Sequence, residues 1–245
     1  MYFEDKFYVN DEIYCEAYIP KKDCPVVIYA HSLGMSHRSG YEYFREFLKQ
    51  DIGCVTFDFR GGGYSSKSKG KTTEMSLISE ANDIITVFKH VQQWDFIDND
   101  RIILLGTSQR GAASAVVADN LQNDLAGLIM LYPALLIPYV AHEYNSLSEI
   151  PDMQLFNGWI ELGKCYFEDV WNLDIFKQIS KYKKDVLIIH GTLDYIVPYS
   201  YSVKAHEFYE NSELKLIDGA GHGFNGSKFR ECMDYINDYL NKVLK

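Results

Sequence analysis

Apolar residues occur along this chain in short continuous runs that alternate with longer segments in which they recur every three or four positions. The first pattern predicts buried strands and the second predicts amphipathic helices. The predicted strands lie at 26–30, 54–57, 102–105, 126–131, 186–190 and 214–217, and the predicted helices at 40–50, 74–94, 109–121, 200–209 and 227–243. Such alternation indicates a mostly parallel sheet with helices on both faces. Two earlier runs, 2–8 and 12–19, predict an opening hairpin with an antiparallel edge.

The connection between the fourth and fifth of the central strands breaks this alternation, because it is too long for a plain loop. Long connections in compact domains are usually lids or binding loops. We therefore expect a core at 1–133 and 185–245 and an inserted cap at 134–184 over the site. Weak helical patterns in the cap lie near 135–143, 153–160 and 170–180, with Pro138 and Pro151 as breakers.

Composition narrows the class of protein. A chain of 245 residues suits one domain with a large core. A net charge of -10 argues against nucleic-acid partners and against an anionic membrane surface. No apolar stretch approaches the roughly 20 residues of a membrane span, and the first residues do not resemble a signal peptide. The five cysteines show no CxxC pair or metal spacing, which favours reduced thiols, a cytoplasmic protein and no metal site.

The most informative motif follows the apolar run 102–105. Gly106 and Ser108 precede a helix rich in small residues, which is the sequence form of a nucleophile elbow. A serine on a sharp strand-to-helix turn exposes its hydroxyl, and the backbone N–H of Gln109 can then donate to an oxyanion. Arg110 stands where a glycine is expected.

Two further polar groups follow later strands of the predicted sheet. Asp194 lies in the loop after 186–190 and His222 in the loop after 214–217, so the chain order is serine, aspartate, histidine. This is the order of α/β-hydrolase triads, and the carboxyl ends of parallel strands meet at one edge of a sheet. The prediction is a Ser108–His222–Asp194 triad, with Asp218 and then Asp185 as rival acids.

The second oxyanion donor should come from the loop after the strand at 26–30. The backbone N–H of Leu33 is our candidate, paired with that of Gln109. His31 is expected to hold this loop by hydrogen bonds, His190 to be structural, and His37 to lie in a loop or on a helix surface. The Gly61-Gly62-Gly63 run lacks the residues of a phosphate-binding loop and predicts a turn.

With these residues in view, the chain resembles the α/β-hydrolase superfamily and, within it, the bacterial cinnamoyl and feruloyl esterases with a short inserted cap. The elbow, the Asp194 loop and the His222 loop are the specific markers, and the likeness spans nearly the whole chain. It implies a serine carboxylic-ester hydrolase for small aromatic esters, without metal or organic cofactor. It also implies that Tyr166, in the segment Leu162-Gly163-Lys164-Cys165-Tyr166, holds the phenolic end of the substrate.

The chain departs from the family pattern at Ser32, at Gly62 and most clearly at Arg110. We expect the long Arg110 side chain to crowd the elbow and tilt the helix that carries Gln109. Arg110→Gly should then raise kcat/KM or leave it equal. In the other interpretation, Arg110 projects outward and binds part of the substrate.

The sequence is therefore compatible with three functions. The first is an esterase for a small-molecule ester, and the second is a peptidase-like or acyltransferase serine hydrolase. The third is a binding protein whose catalysis is impaired by Arg110. A homodimer is left open as its assembly.

Overall fold

The elements of the computed structural model, which describes residues 1–63 and 65–245, follow the predicted alternation. The strands are β1 (Phe3–Val9), β2 (Ile13–Ile19), β3 (Cys24–Ala30), β4 (Gly53–Phe57), β5 (Ile97–Thr107), β6 (Leu125–Leu131), β7 (Met153–Phe156), β8 (Ile160–Gly163), β9 (Val186–Gly191) and β10 (Ser212–Ile217). The helices are α1 (Tyr41–Leu48), α2 (Leu77–Val91), α3 (Ser108–Val117), α4 (Ile137–Ala141), α5 (Cys165–Glu168), α6 (Ile175–Ile179), α7 (Ser200–Phe208) and α8 (Gly226–Val243).

One sheet of eight strands forms the centre, in the order β1-β2-β4-β3-β5-β6-β9-β10. The strands from β4 to β10 in this order pair in parallel, whereas β1–β2 and β2–β4 are antiparallel. The predicted mostly parallel sheet with an antiparallel opening hairpin is therefore confirmed. All parallel strands present their carboxyl ends at the same edge, which is where α/β proteins place ligands.

Side chains of the central strands alternate between two buried clusters, one on each face of the sheet. In β3, Val26 and Ile28 pack with α2 and α3, whereas Val27 and Tyr29 pack with α1 and α8. Continuous apolar strands form here because both of their faces are covered by helices. Burial on both sides holds the strand ends, and therefore the loops that follow them, in fixed positions.

The connection between β6 and β9 differs most from its predicted form at 153–160, and the short helix α5 was not predicted. The helix predicted at 153–160 is wrong, because β7 and β8 form an antiparallel hairpin with Phe156 opposite Ile160. Asn157 and Gly158 at its tip have φ angles of 49° and 75°. An Asn-Gly pair accepts these left-handed angles at low cost and favours a tight hairpin over a helix. The predicted helices near 135–143 and 170–180 correspond to the short helices α4 and α6.

This hairpin lies on the loop that follows β3. The Trp159 ring packs on Gly34, and a Cβ added there would come within 2.7 Å of the ring. Gly34 also has a φ of 74°, which favours glycine. The segment thereby covers the edge where the parallel strands end, although the boundaries of a cap at 134–184 stay a prediction. Among the described residues, no helix has the length and apolar character needed to cross a bilayer.

We predict that Gly106→Ala destabilises the fold, because the strand and helix backbones nearly touch there. An added Cβ would lie 2.6 Å from the Arg110 carbonyl oxygen and 2.9 Å from the Gly111 Cα. We expect the free energy of unfolding to fall by about 1–3 kcal/mol, measured by urea denaturation.

Gly221→Ala is the matched control, since the nearest atom to its added Cβ is 3.8 Å away. It should change the free energy of unfolding by no more than about 0.5 kcal/mol. Equal stability losses in the two variants would contradict this account of the elbow.

Candidate active site

The turn between β5 and α3 presents Ser108 at the carboxyl edge of the sheet. Ser108 has a φ of 54°, in the left-handed region that non-glycine residues seldom adopt. Such strain persists only where the surroundings hold it. Here the close packing of Gly106 against the first turn of α3, and of Gly111 against Pro133, supplies that constraint. The serine side chain therefore leaves the strand in a direction that an ordinary turn would not allow.

Three predicted residues form one continuous chain of hydrogen bonds. The Ser108 Oγ lies 2.8 Å from the His222 Nε2, and the His222 Nδ1 lies 2.6 Å from the Asp194 Oδ2. The second carboxylate oxygen of Asp194 accepts hydrogen bonds from the backbone N–H groups of Ile196 and Val197, both at 2.9 Å. This is the geometry that a nucleophile, a base and an orienting acid require.

Both rival acids lie elsewhere. Asp218 is exposed and accepts a hydrogen bond from the Thr192 hydroxyl, whereas Asp185 pairs with Lys242 at 2.8 Å. The carboxylate beside His222 therefore belongs to Asp194.

The structure adds His190 to this arrangement. Its Nε2 lies 3.1 Å from the Asp194 Oδ2 and 3.0 Å from the Val197 carbonyl oxygen, and its Nδ1 lies 2.7 Å from the Ser202 Oγ. Since both groups near Nε2 are acceptors, Nε2 carries a proton and donates. The sequence offered only the position of His190 at a strand end, which does not reveal a contact with the acid.

Burial by itself would raise the pKa of Asp194. Hydrogen bonds from His190, His222 and the Val197 N–H outweigh it and hold this pKa well below its usual range. The carboxylate beside His222 is therefore ionised at neutral pH, as an orienting acid must be.

The loop after β3 is held by buried polar contacts. The His31 Nδ1 lies 2.9 Å from the Ser32 carbonyl oxygen, and the Ser32 hydroxyl lies 2.9 Å from that of Thr107. Burial and the nearby Arg110 lower the pKa of His31 to about 3, so its ring is neutral. The surface position expected for His37 is wrong. This residue is buried, and its Nδ1 lies 2.9 Å from the Asp58 Oδ1.

The candidate oxyanion donors Leu33 and Gln109 both line the cavity that contains Ser108. Gln109 is the second residue of α3, where backbone N–H groups have no partner within the helix. Within residues 1–63 and 65–245, neither of the two N–H groups donates a hydrogen bond to another protein group. Within the described part of the chain, both are therefore available to a ligand.

The cavity has a volume of about 870 Å³ and is mainly apolar. A volume of this size suits a small organic molecule. Charged side chains occur at Arg38, Glu42 and Glu143, which are all exposed. The aromatic residues that line it are Tyr29, Tyr43, Tyr132, Phe156, Trp159, Tyr166 and Phe224.

Tyr166 lies at the start of the short helix α5 and is buried in this wall. Its hydroxyl donates a hydrogen bond of 2.7 Å to the Gln109 Oε1. The residue named by family resemblance therefore contacts the residue that follows Ser108. A resemblance between local segments could not reveal this contact between α5 and α3.

The crowding expected at Arg110 is absent. Its side chain leaves the elbow and pairs with Glu80 of α2 at 2.7 Å, and both side chains are fully buried. The backbone that approaches the strand belongs to Gly111, which packs on Pro133. No glycine is therefore required at position 110. The Arg110 side chain neither projects outward nor lines the cavity. The position of Arg110 therefore gives no reason to expect impaired catalysis.

A sequence model of the prolyl oligopeptidase family (Peptidase_S9) matches residues 41–245, which include the whole hydrogen-bonded chain of Ser108, His222 and Asp194. The chain belongs to the prolyl oligopeptidase family.

Among solved structures, the Est1E protein of Butyrivibrio proteoclasticus with bound ferulic acid superposes with a TM-score of 0.86. It is 26% identical, and the match covers 98% of this chain and 100% of that one. A putative esterase/lipase 2 of Mycoplasma genitalium is 23% identical, over 94% of both chains. The quorum-quenching protein AidA of Acinetobacter baumannii is 28% identical over 51% of this chain, which spans 41% of that relative's length. The predicted α/β-hydrolase fold and the resemblance to feruloyl esterases are confirmed.

We predict that Arg110→Met lowers the free energy of unfolding by about 3–5 kcal/mol near neutral pH, because it leaves Glu80 buried without its cation. Burial raises the pKa of Glu80 to about 7, even though Arg110 opposes the rise. A carboxyl group with a raised pKa contributes stability at low pH, which is lost as the pH increases through that value. Removing Arg110 raises the pKa of Glu80 further, so stability should decrease more steeply with pH in the variant.

Urea denaturation at about pH 5 and about pH 9 tests this sign. The difference between wild type and Arg110→Met should be smaller at the lower pH, where Glu80 is protonated. Adding Glu80→Leu to Arg110→Met should recover stability, since an apolar pair needs no counter-charge. A difference that is the same at both values of pH would refute the assigned role of the ion pair.

Proposed function

We propose that this protein is a serine carboxylic-ester hydrolase in which Ser108 is the nucleophile, His222 the general base and Asp194 the orienting acid. The observation that carries the proposal is the continuous hydrogen-bonded chain from the Ser108 Oγ to the Asp194 carboxylate, with the serine in the lining of a mainly apolar cavity. A serine hydroxyl is a weak nucleophile until a base accepts its proton.

In the proposed reaction, the Ser108 Oγ attacks the ester carbonyl carbon while the His222 Nε2 takes its proton. The Leu33 and Gln109 N–H groups would stabilise the negative oxygen of the tetrahedral intermediate. The C–O bond to the alcohol then breaks, and His222 returns the proton to the departing oxygen. A water molecule then gives a proton to His222 and attacks the acyl group on Ser108. The bond between the acyl carbon and the Ser108 Oγ breaks, His222 returns the proton to this oxygen, and the acid is released.

The proposed substrates are small esters of aromatic acids, of the cinnamoyl or feruloyl kind. Tyr132, Phe156 and Trp159 offer rings to an aromatic acyl group. Similarity to Est1E, which was solved with ferulic acid, agrees with this choice. Tyr166 is the residue proposed to contact the phenolic end, because its side chain lies in the same wall.

Membership of the prolyl oligopeptidase family favours a second candidate, which is a serine peptidase. The two activities share the triad and differ in the bond that is cleaved. Comparing an aminoacyl anilide with the matching ester separates them, and a preference for the amide bond would reverse our ranking.

We predict that the wild-type protein reacts with a fluorophosphonate probe and hydrolyses p-nitrophenyl acetate or methyl ferulate. Ser108→Ala should abolish both the labelling and the turnover, because the attacking oxygen is removed. His222→Ala should lower kcat by several orders of magnitude, to about the level left by loss of any triad member. Mass spectrometry of the labelled protein should place the probe on Ser108.

Ser114→Ala is the matched control for the serine change. Ser114 lies on the same helix, is buried, and within the described residues its Oγ has no hydrogen-bond partner. This variant should label at the wild-type rate. Turnover retained in Ser108→Ala, or a folded wild type that hydrolyses none of these esters, would exclude the proposed mechanism.

We predict that Asp194→Asn lowers kcat by about 10⁴, because an amide at this position favours the wrong tautomer of His222. Steady-state kinetics on p-nitrophenyl acetate measures the decrease. Asp218→Asn serves as the control and should keep wild-type kinetics, since Asp218 is exposed and bonded to Thr192. A larger loss of kcat in Asp218→Asn than in Asp194→Asn would show that Asp218, and not Asp194, is the orienting acid.

A further inference from the structure

Two consecutive residues after the nucleophile bind one buried carboxylate. Both oxygens of Glu80 lie 2.9 Å from the Gln109 Nε2, and the Glu80 Oε1 lies 2.7 Å from the Arg110 Nη2. Glu80 belongs to the first turn of α2 and has no exposed surface. The first turn of α3 is therefore tied by side chains to a different helix, beside the point where Ser108 leaves the strand.

The Gln109 amide has one defined orientation in this arrangement. Its NH₂ group donates to the Glu80 carboxylate, and its carbonyl oxygen accepts from the Tyr166 hydroxyl at 2.7 Å. Reversing the amide would place its carbonyl oxygen against the Glu80 carboxylate, and the Tyr166 hydroxyl would lose the acceptor to which it donates. An ionised Glu80 therefore selects the orientation, and the contacts connect α2, α3 and α5.

Arg110 supplies the charge that favours the ionised form of Glu80. Its guanidinium lies 4.8 Å from the centre of the Phe59 ring, and its Nη2 lies 3.5 Å from the Met75 Sδ. Among the described residues, the Arg110 Nε and Nη1 have no hydrogen-bond partner. Asp83 contributes a more distant negative charge.

A fully buried ion pair is a poor way to gain stability, since apolar residues of similar volume often serve as well. Its best-attested use is to specify one arrangement of the groups around it. In this protein, the group that the pair holds is the side chain of Gln109, whose backbone N–H is the proposed oxyanion donor.

We propose that Glu80 and Arg110 are positioning residues for ester hydrolysis, which hold Gln109 so that its backbone N–H stands at the oxyanion position. The proposal rests on the proposed function. Neither residue touches the substrate, because neither lines the cavity. A displacement of about 1 Å at a catalytic group can lower the rate about a hundredfold. Loosening the contacts that hold Gln109 should therefore lower kcat.

The experiment compares Glu80→Gln, Arg110→Met and Gln109→Ala on p-nitrophenyl acetate and methyl ferulate. The concentration of active sites is determined by titration with a fluorophosphonate, so that unfolded protein is not counted when kcat is calculated. Glu80→Gln keeps the size of the side chain but removes its charge. Gln109→Ala keeps the backbone N–H and leaves the Glu80–Arg110 pair intact. It therefore tests the contact between Gln109 and Glu80 even if variants at the charged positions do not fold.

We expect kcat per titrated site to fall by about tenfold or more in all three variants, on both esters. The KM for p-nitrophenyl acetate should stay within about twofold, because the oxyanion forms after binding. Arg110→Lys keeps the positive charge and should recover most of the loss of Arg110→Met. A merely structural role would lower the melting temperature and leave kcat per site unchanged.

Asp83→Asn is the matched control. Asp83 lies on α2 one turn after Glu80, is also buried, and pairs with Arg60 at 2.7 Å, without contacting Gln109. It should lose stability and keep wild-type kcat per site.

Values of kcat within about twofold of wild type in Gln109→Ala and Glu80→Gln would overturn the proposal. An equal loss of kcat in Asp83→Asn would also overturn it, because the effect would then not depend on Gln109. Failure of the proposed function can be distinguished from failure of this proposal, since the wild type itself would then neither react with the fluorophosphonate nor hydrolyse the esters.

Discussion

The close approach of β5 and α3 is the constraint on which the rest of the site depends. Ser108 can occupy its left-handed conformation only because Gly106 and Gly111 allow the two backbones to come together. The turn directs the serine hydroxyl away from the sheet and leaves the first N–H groups of α3 without partners. A wider turn would displace both the hydroxyl and these donors.

The parallel sheet then brings the other groups to the same edge. Asp194 and His222 follow β9 and β10, while the loop with Leu33 follows β3 and packs under Trp159 of the β7–β8 hairpin. Contacts among loops, such as those of His31 and Ser32, complete an arrangement whose parts come from distant segments of the chain.

Buried charge is arranged differently on the two sides of Ser108. On one side, Asp194 is surrounded by donors, so its pKa is depressed and it stays ionised. On the other side, Glu80 is fully buried, and burial raises its pKa to about 7 although Arg110 and the Gln109 hydrogen bond counter that rise. The first arrangement orients a base. The second determines which groups of Gln109 face α2 and α5.

Much of the fold and the site could be predicted from the sequence, because both have local signals. Apolar runs and helical periodicity located the sheet strands and the long helices to within a few residues, except that β5 begins at Ile97 rather than at 102. Ser108, Asp194 and His222 were predicted from their loops after strands, and the structure brings them within hydrogen-bond distance. The β7–β8 hairpin was missed although its Asn157-Gly158 turn is a local signal, since a weak helical pattern was followed instead.

Only the tertiary structure decided which partners the buried polar side chains have. The pattern around Arg110 does not specify the direction of its side chain, because that depends on Glu80, which lies on another helix. The burial of His37 against Asp58 and the contact of His190 with Asp194 likewise depend on how separate elements pack. Local sequence determines elements and turns, whereas a buried polar group takes its partner from whatever the packing places beside it.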